Sequence, residues 1–207
     1  MPRLVEKSTC RFNYPARLEI NLVMNPYWID AGSCRLAILP RPRGWDWLSD
    51  DIAAARRAGV DVIVSALTET ENQELGLSEE GKCCKETATE FLSFPIEDRS
   101  MPDSEESLDA FIDSLDKRVK QEKSIAIHCR AGIGRSSMLC ACLLVRQGFS
   151  AESALQKIQQ ARGCAVPDTT EQRKWVESFA ARFNASDRIM RLRSGREEPR
   201  PVFSVLG

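Results

Sequence analysis

The sequence predicts an α/β fold with a central, mostly parallel β-sheet flanked by helices, and three observations lead to this prediction. Short runs rich in Val and Ile alternate along the chain with segments of helical periodicity. Such alternation of strands and helices is typical of parallel sheets covered by helices. The 207 residues, 43% of them hydrophobic, suit one globular domain with a substantial core and modest extensions.

Five extended segments are predicted along the chain: residues 19–24, 34–39, 60–67, 91–96 and 124–128. Segment 60–67 is rich in Val and Ile, which is typical of a buried strand. Residues 91–96 form a short strand or merely an extended stretch. In parallel sheets ligands bind at the carboxyl ends of the strands. The loop that follows residue 128 is therefore predicted to form a ligand-binding site.

Helices are predicted between these strands and after the last one: residues 46–58, 68–77, 78–90, 103–119, 136–147, 150–161 and 168–183. The segment 136–147 is apolar nearly all round, so we expect it to lie at the centre of the core. Helix N-caps are predicted at Asp103, Ser150 and Asp168, because Glu106 and Glu171 complete capping boxes with the first and the third.

The predicted domain boundaries follow the changes in composition. Residues 1–35 are an N-terminal extension with a candidate edge strand, 36–183 form the main domain, and 184–207 are an arginine-rich tail or helix extension. The basic turn at residues 40–44 is more typical of a solvated loop than of a substrate contact, and both interpretations stay open.

Composition excludes several classes of partner. The net charge of −1 gives no global field for nucleic acid, and the longest apolar run, 138–145, is far shorter than the roughly 20 residues of a membrane helix. The N-terminus shows no apolar signal segment, so we expect a cytoplasmic protein whose eight cysteines are reduced. With one histidine and no C-x-x-C pair, neither a metal nor another cofactor is expected.

Residues 128–136 read His-Cys-Arg-Ala-Gly-Ile-Gly-Arg-Ser and join a predicted strand to a predicted helix. Gly132 and Gly134 allow backbone conformations that turn successive N–H groups inward. The helix N-terminus adds its positive dipole end, so the natural ligand is a phosphate-like oxyanion. The predicted phosphate-binding residues are Arg130, Ala131, Gly132, Ile133, Gly134 and Arg135.

The same positive environment favours the thiolate form of Cys129 at the edge of this loop. A thiolate beside a bound phosphate is placed for in-line attack on phosphorus. Arg135 can donate two N–H groups to equatorial oxygens, where negative charge gathers in the transition state. The alternative is a buried structural thiol beside an ordinary glycine turn, but the combined spacing of Cys, Gly, Arg and Ser argues against it.

These nine residues resemble the H-C-x5-R-S signature of the protein tyrosine and dual-specificity phosphatases, and a weaker resemblance extends over residues 36–183. The modest length resembles the compact dual-specificity branch, particularly its kinase-associated-phosphatase-like members. The resemblance implies hydrolysis of phosphomonoesters through a cysteinyl-phosphate, without a metal. It further implies that Ser136 stabilises the departing thiolate, although a helix N-cap would also account for this serine, and that His128 shapes the surroundings of the nucleophile.

The stretch 95–102 resembles the P-I-x-D-x-x-x-P acid loop of kinase-associated and related phosphatases, which makes Asp98 the candidate general acid. Its rivals are Glu97 and Asp103, or Asp98 could simply make a turn. Gln172 stands in a segment similar to one where some phosphatases place a water-positioning glutamine, although the start of a helix explains its neighbours equally well.

The expected substrate is a phosphorylated protein carrying phosphotyrosine, with phosphoserine and phosphothreonine as further candidates. A phosphoinositide or inositol phosphate is the alternative with the same chemistry, yet Arg130 is the only added cation in the loop and Ile133 is apolar. A non-catalytic phosphate-binding module is the alternative from another class. Sulfur transfer and arsenate reduction are disfavoured by the separate acid loop and the Arg-Ser ending.

Overall fold

A five-stranded β-sheet organises the part of the chain that the computed structural model describes, residues 24–194, with side chains described to residue 185. The strands are β1 (Tyr27–Ile29), β2 (Leu36–Ile38), β3 (Val62–Ser65), β4 (Glu90–Ser93) and β5 (Ile125–His128). Their order is β1-β2-β5-β3-β4, with β1 antiparallel to β2 and all other pairs parallel. The predicted α/β fold with a mostly parallel sheet is confirmed.

In the described part of the chain, seven helices connect and cover the strands: α1 (Leu48–Arg57), α2 (Glu69–Glu74), α3 (Glu80–Glu86), α4 (Glu105–Val119), α5 (Arg135–Arg146), α6 (Ala151–Arg162) and α7 (Thr170–Ser194). A short 3-10 helix, Trp45–Trp47, precedes α1. Within residues 24–194 no helix is both long and apolar enough to cross a membrane.

Two hydrophobic clusters cover the two faces of the sheet, because successive strand residues point to opposite sides. Ile125 and Ile127 of β5 pack with α4, α5, α6 and α7, whereas Ala126 belongs to the cluster that contains α1 and α3. Helix α5 is buried along almost its whole length, as its all-round apolar sequence predicts. The strand and helix at either end of the phosphate loop are therefore both fixed in the core.

The described residues contain an edge strand inside the predicted N-terminal extension. The predicted strand 19–24 falls outside the described residues except for Met24, which is buried but not part of a strand. Strand β1 instead occupies Tyr27–Ile29, within the predicted N-terminal extension. At the other end, α7 continues through Ser194, past the predicted boundary at 184. The boundaries 1–35, 36–183 and 184–207 stay predictions, and most of the tail lies outside the described residues.

Two of the three predicted caps are wrong by one residue. Ser104 caps α4 in place of Asp103, since its Oγ accepts a hydrogen bond from the Ser107 amide at 3.1 Å. Thr169 replaces Asp168 in the same way, accepting from the Gln172 amide at 3.1 Å. Each segment holds two adjacent capping side chains, and only one of the pair reaches the amide three residues on.

The cap at Ser150 is confirmed by a 3.1 Å hydrogen bond from the Ser153 amide to its Oγ. The suggestion that Ser136 caps α5 is wrong, because the helix starts at Arg135 and its N-cap is Gly134. Ser136 therefore lies inside the first turn. Its hydroxyl does not cap the helix and is free to make other hydrogen bonds.

Candidate active site

The phosphate loop, residues 129–134, runs from the end of β5 to the start of α5 at the carboxyl edge of the sheet. Cys129 is only 2% exposed. The Gly132 amide donates a hydrogen bond to Cys129 Sγ at 3.3 Å, and Ser136 Oγ lies 3.3 Å from the same sulfur. Gly132 needs its glycine because its φ is +68°. An inward amide and a hydroxyl thus surround the sulfur, which is the arrangement that stabilises a thiolate.

Arg135 is buried, and both of its terminal nitrogens donate hydrogen bonds to a carboxylate of α2. Nη1 donates to Glu71 Oε2 at 2.6 Å and to the Ile96 carbonyl at 2.8 Å. Nη2 donates to Glu71 Oε1 at 2.9 Å and to Asp98 Oδ1, also at 2.9 Å. In the described part of the chain Nε donates no hydrogen bond, so Nε and Nη2 form the edge that a phosphate could engage once Asp98 releases Nη2.

Glu71 is a site residue that the sequence analysis missed. Its carboxylate binds Arg135 through both oxygens and also accepts from Arg130 Nε at 3.2 Å. Burial alone would raise the pKa of Glu71, but the hydrogen bonds from Arg135, the Thr68 amide and Arg130 lower that pKa to about 2. The Thr68-x-x-Glu71 spacing is a capping box in the sequence, and the structure has that box, yet nothing local shows that the glutamate also binds an arginine.

The Arg130 side chain does not point into the pocket. Its Nη2 donates to Glu74 Oε2 at 2.8 Å and its Nε to Glu71, so the guanidinium lies on α2. Any contribution of Arg130 to phosphate binding is thus left to its backbone amide. The predicted loop residues that line the pocket are Cys129, Ala131, Ile133, Gly134 and Arg135.

The acid loop, residues 94–104, follows β4 and brings Asp98 to the rim of the pocket. The Asp98 side chain is 60% exposed and touches Arg135 through one carboxylate oxygen. Neither Glu97 nor Asp103 lines the pocket. Asp98 is therefore the acidic group of this loop that is placed to reach a leaving oxygen, and its role as the acid stays a prediction.

Gln172 is fully buried at the other wall of the pocket. Its Nε2 donates to the Ser100 carbonyl of the acid loop at 3.2 Å, while its Oε1 has no hydrogen-bond partner. Gly134 packs so closely that a Cβ there would come within 2.8 Å of Oε1. A buried, free acceptor beside the phosphate loop can hold a water molecule.

Two further contacts at the site were not predicted. Arg99 Nε lies 3.4 Å from Asp168 Oδ2, which joins the acid loop to the segment before α7 across the pocket mouth. Behind the loop, Arg162 Nε donates to the Gly132 carbonyl at 2.8 Å and Nη2 to the Ala131 carbonyl at 3.3 Å. The contacts of Arg99 and of Arg162 each join residues that are far apart in the chain, so no local sequence pattern could reveal them.

His128 is fully buried, and its Nε2 lies 2.9 Å from Oε1 of the equally buried Glu80. Neither atom makes a hydrogen bond of suitable geometry, so the two side chains are in close contact without a hydrogen bond. His128 does not reach the pocket surface. Its position fits the implied role of shaping the environment of Cys129 rather than acting on substrate.

Three buried cysteines, Cys34, Cys84 and Cys142, lie away from the pocket. Burial raises the pKa of Cys34 to about 11, with Asp116 adding to the effect, and burial raises the pKa of Cys84 to about 12. Burial likewise raises the pKa of Cys142 in α5. None of these thiols lines the pocket, so they are core side chains.

The pocket itself is small, with a volume of about 70 Å³. Pockets that enclose drug-sized ligands span roughly 300–1,000 Å³. The space between Cys129, Arg135 and Gln172 thus suits a group of phosphate size and leaves the rest of a substrate outside.

A sheet that brings this loop, Arg135 and Asp98 to one edge is typical of a protein-tyrosine-phosphatase-type domain, and the comparison with protein families agrees. Residues 27–199 match the family described as Swiss Army Knife protein, DSP-PTPase phosphatase domain. The chain belongs to this family, within the dual-specificity phosphatase superfamily.

Curated relatives match the chain over part of its length. Cyclin-dependent kinase inhibitor 3 of Rattus norvegicus is 28% identical over 103 residues, 47% of this chain and 48% of that protein. Protein tyrosine phosphatase type IVA 2 of Mus musculus is 33% identical over 73 residues, 34% of this chain and 43% of that protein. The chain spans about half the length of the curated relatives it matches.

Solved structures match most of the described fold. Kinase associated phosphatase (KAP) has a TM-score of 0.71 at 20% identity, covering 78% of this chain and 97% of that one. Tk-PTP in its active form has a TM-score of 0.63 at 26% identity, covering 76% and 97%. PTPMT1 in complex with PI(5)P also scores 0.63, at 17% identity, covering 78% and 99%. The first and third show the shared fold alone.

Proposed function

We propose that the chain is a phosphomonoester hydrolase that works without a metal through a cysteinyl-phosphate at Cys129. The main support for this proposal is the environment of the Cys129 sulfur. The sulfur accepts a hydrogen bond from the Gly132 amide and lies against the Ser136 hydroxyl at the N-terminus of α5. These groups favour a thiolate where an oxyanion would bind.

In the first step the Cys129 thiolate attacks phosphorus, an S–P bond forms, and the bond to the leaving oxygen breaks. Loop amides and the Nε–Nη2 edge of Arg135 stabilise the charge on the equatorial oxygens. Asp98 gives its proton to the leaving oxygen. A protonated Asp98 is a weaker acceptor for Nη2 than its carboxylate, so the same protonation favours transfer of this arginine edge to the phosphate.

In the second step water attacks the cysteinyl-phosphate and releases inorganic phosphate. The free Oε1 of Gln172 accepts a hydrogen bond from this water, and Asp98, now a carboxylate, takes its proton. The S–P bond breaks, and the Ser136 hydroxyl donates to the departing thiolate from its 3.3 Å distance. The enzyme returns to its starting state.

The proposed substrate is a phosphoprotein carrying phosphotyrosine, with phosphoserine and phosphothreonine as further targets. Ala131 and Ile133 give the pocket an apolar wall, and the Arg130 guanidinium is paired with α2 rather than offered to a second phosphate. A phosphoinositide is the second candidate substrate, because the similar structure of PTPMT1 is a complex with PI(5)P. Comparing kcat/KM on a phosphotyrosyl peptide and on PI(5)P vesicles decides between them. The cytoplasmic location stays a prediction.

The experiment that tests this function is hydrolysis of a small aryl phosphate in chelator and reductant. Cys129→Ser is expected to abolish turnover, since a hydroxyl is not ionised in this environment. Cys83→Ser is the matched control, because that thiol lies on α3 away from the pocket. Equal turnover by wild type and Cys129→Ser would refute the cysteine mechanism, and a folded but inactive wild type would instead indicate a phosphate-binding module.

A further inference from the structure

An aromatic side chain of the edge strand lies behind the phosphate loop. The Arg162 guanidinium, at the end of α6, is placed between the loop and the ring of Tyr27. It donates to the carbonyls of Gly132 and Ala131, and its central carbon lies 4.2 Å from the Tyr27 ring centroid. Loop, arginine and tyrosine thus form three successive layers.

The two hydrogen bonds of Arg162 fix the orientation of the catalytic amides. In a trans peptide unit the C=O of one residue and the N–H of the next point in opposite directions. Holding the Ala131 carbonyl outward directs the Gly132 N–H inward, and this amide does donate to Cys129 Sγ. By the same geometry the outward Gly132 carbonyl directs the Ile133 N–H toward the pocket.

Tyr27 in turn restrains the arginine. A guanidinium is planar and binds the face of an aromatic ring, so the ring limits the plane in which Arg162 can present its donors. Tyr27 pairs with Ile38 of β2, and the Ile38 side chain lies against Gly132, where a Cβ would be 3.2 Å from it. Lys157 Nζ also donates to the Asp30 carbonyl at 2.7 Å, which ties the end of β1 to α6.

We propose that Tyr27 is a positioning residue for the phosphate loop that acts through Arg162, so that edge strand β1 sets how well the loop amides receive a phosphoryl group. The proposal rests on the proposed function of Cys129. It assigns a role in catalysis to a strand that supplies no group to the pocket.

The readout is the alkylation of Cys129 by two reagents, followed by peptide mass spectrometry. Iodoacetate is an anion that the loop amides attract, whereas iodoacetamide is neutral and reports thiolate reactivity without that attraction. Arg162→Met is expected to lower the iodoacetate-to-iodoacetamide rate ratio about tenfold, having lost two hydrogen bonds. Tyr27→Ala is expected to lower it about threefold to fivefold, the scale of an arginine–aromatic contact. kcat/KM on an aryl phosphate should fall in parallel.

Strand β1 supplies its own matched control. Trp28 is the next residue, is exposed to the same degree as Tyr27, 37% against 38%, and also lies over an arginine, Arg35. Arg35 does not line the pocket, so Trp28→Ala should leave the alkylation ratio unchanged. Tyr27→Phe keeps the ring and should retain the wild-type ratio, while Tyr27→Leu keeps apolar packing without the ring face and should behave like Tyr27→Ala.

The double variant Tyr27→Ala/Arg162→Met separates an indirect effect from a direct one. If Tyr27 acts through Arg162, the double variant matches Arg162→Met alone. Fully additive losses, or an equal loss in Trp28→Ala, would overturn the proposal in favour of general weakening of the strand. An unchanged ratio in both Tyr27→Ala and Tyr27→Leu would overturn it as well. A wild type with no preference for iodoacetate and no turnover would overturn the proposed function together with this inference.

Discussion

The phosphate loop and the acid loop meet over one pocket, but they are held in different ways. The phosphate loop is fixed by its backbone between β5 and α5, and Cys129, Arg135 and Ser136 are all at most 2% exposed. In the acid loop residues 97–99 are exposed, and backbone hydrogen bonds from Phe94 and Ile96 to the end of β3 hold only its first part. The rest of the loop is held by side-chain contacts with Arg135, Asp168 and Gln172. Cys129 and Arg135 are thus built into the core, while Asp98 lies on a loop that is attached to the core by side chains around the pocket.

Arg135 is where the two loops are joined. It holds the Ile96 carbonyl and Asp98 of the acid loop, and its place is secured from behind by Glu71. A bound phosphate must compete with Asp98 for the same guanidinium edge. The difference between the two parts of the site therefore predicts that changes at Arg135 weaken binding and chemistry together, whereas changes at Asp98 separate them.

The largest effect is expected from Arg135→Lys. A lysine is a point charge and cannot keep Glu71 and also offer two donors to phosphate. We expect kcat/KM on an aryl phosphate to fall by about 10³-fold, with vanadate affinity falling too. Arg130→Lys is the control, and less than about tenfold is expected because that side chain lies on α2. Similar losses in both variants would contradict the assigned geometry.

Asp98→Asn should separate chemistry from binding. Loss of the acid is expected to lower kcat by about 10² to 10³-fold for a poor leaving group. Vanadate affinity should stay the same or tighten, because an amide competes less than a carboxylate for Arg135. Glu97→Gln is the neighbouring control and should leave kcat near wild type. A weaker vanadate complex in Asp98→Asn would mean that the acid loop helps to bind phosphate.

Glu71→Gln should change the pH dependence of stability. The Glu71 pKa in the folded chain is about 2, below its ordinary value of 4.5, so its stabilisation is complete above about pH 4.5 and is lost as the pH falls toward 2. The shift corresponds to about 3 kcal/mol. Urea unfolding between pH 5 and pH 2 is expected to show a steeper loss for wild type than for Glu71→Gln.

Glu74→Gln provides the comparison for this measurement, because its carboxylate is 58% exposed and binds only Arg130 among the described side chains. It should follow the wild-type curve. Parallel curves for wild type and Glu71→Gln would show that the Glu71–Arg135 pair is not the acid-sensitive contact.

The smallest effect is expected from Gln172→Ala. Loss of the free Oε1 acceptor should slow the attack of water on the cysteinyl-phosphate by about tenfold, while the first step keeps its rate. Rapid mixing with an aryl phosphate would then show a burst of the phenol followed by a slower steady state. A slower burst phase would place Gln172 in the first step instead.

The two loops also differ in how far the sequence could predict them. The residues of the phosphate loop are contiguous in the chain. The succession of strand, loop with Cys129, and helix could therefore be predicted from residues 124–147 alone. Local composition also predicted the parallel sheet and the buried helix α5, because both depend on the pattern of apolar residues. These features needed no knowledge of distant contacts.

What holds the loops in place was not predictable. Glu71 and Arg135 are 64 residues apart, and Gln172 and Ser100 are 72 apart. Such pairs depend on the packing of whole elements, which no local pattern encodes. The caps at Ser104 and Thr169 were missed for a smaller reason, since adjacent side chains of equal capping preference stand at both positions.

The cysteinyl-phosphate proposed at Cys129 can be tested directly by trapping the phosphoryl group on the protein. Wild type is mixed with an aryl phosphate, quenched in acid within the first turnover, digested and examined by mass spectrometry, with Cys129→Ser in parallel. Wild type is expected to carry one phosphoryl group on the peptide that contains Cys129, and the variant none. Full turnover with that peptide unmodified, or with phosphate on another residue, would contradict the proposed cysteinyl-phosphate.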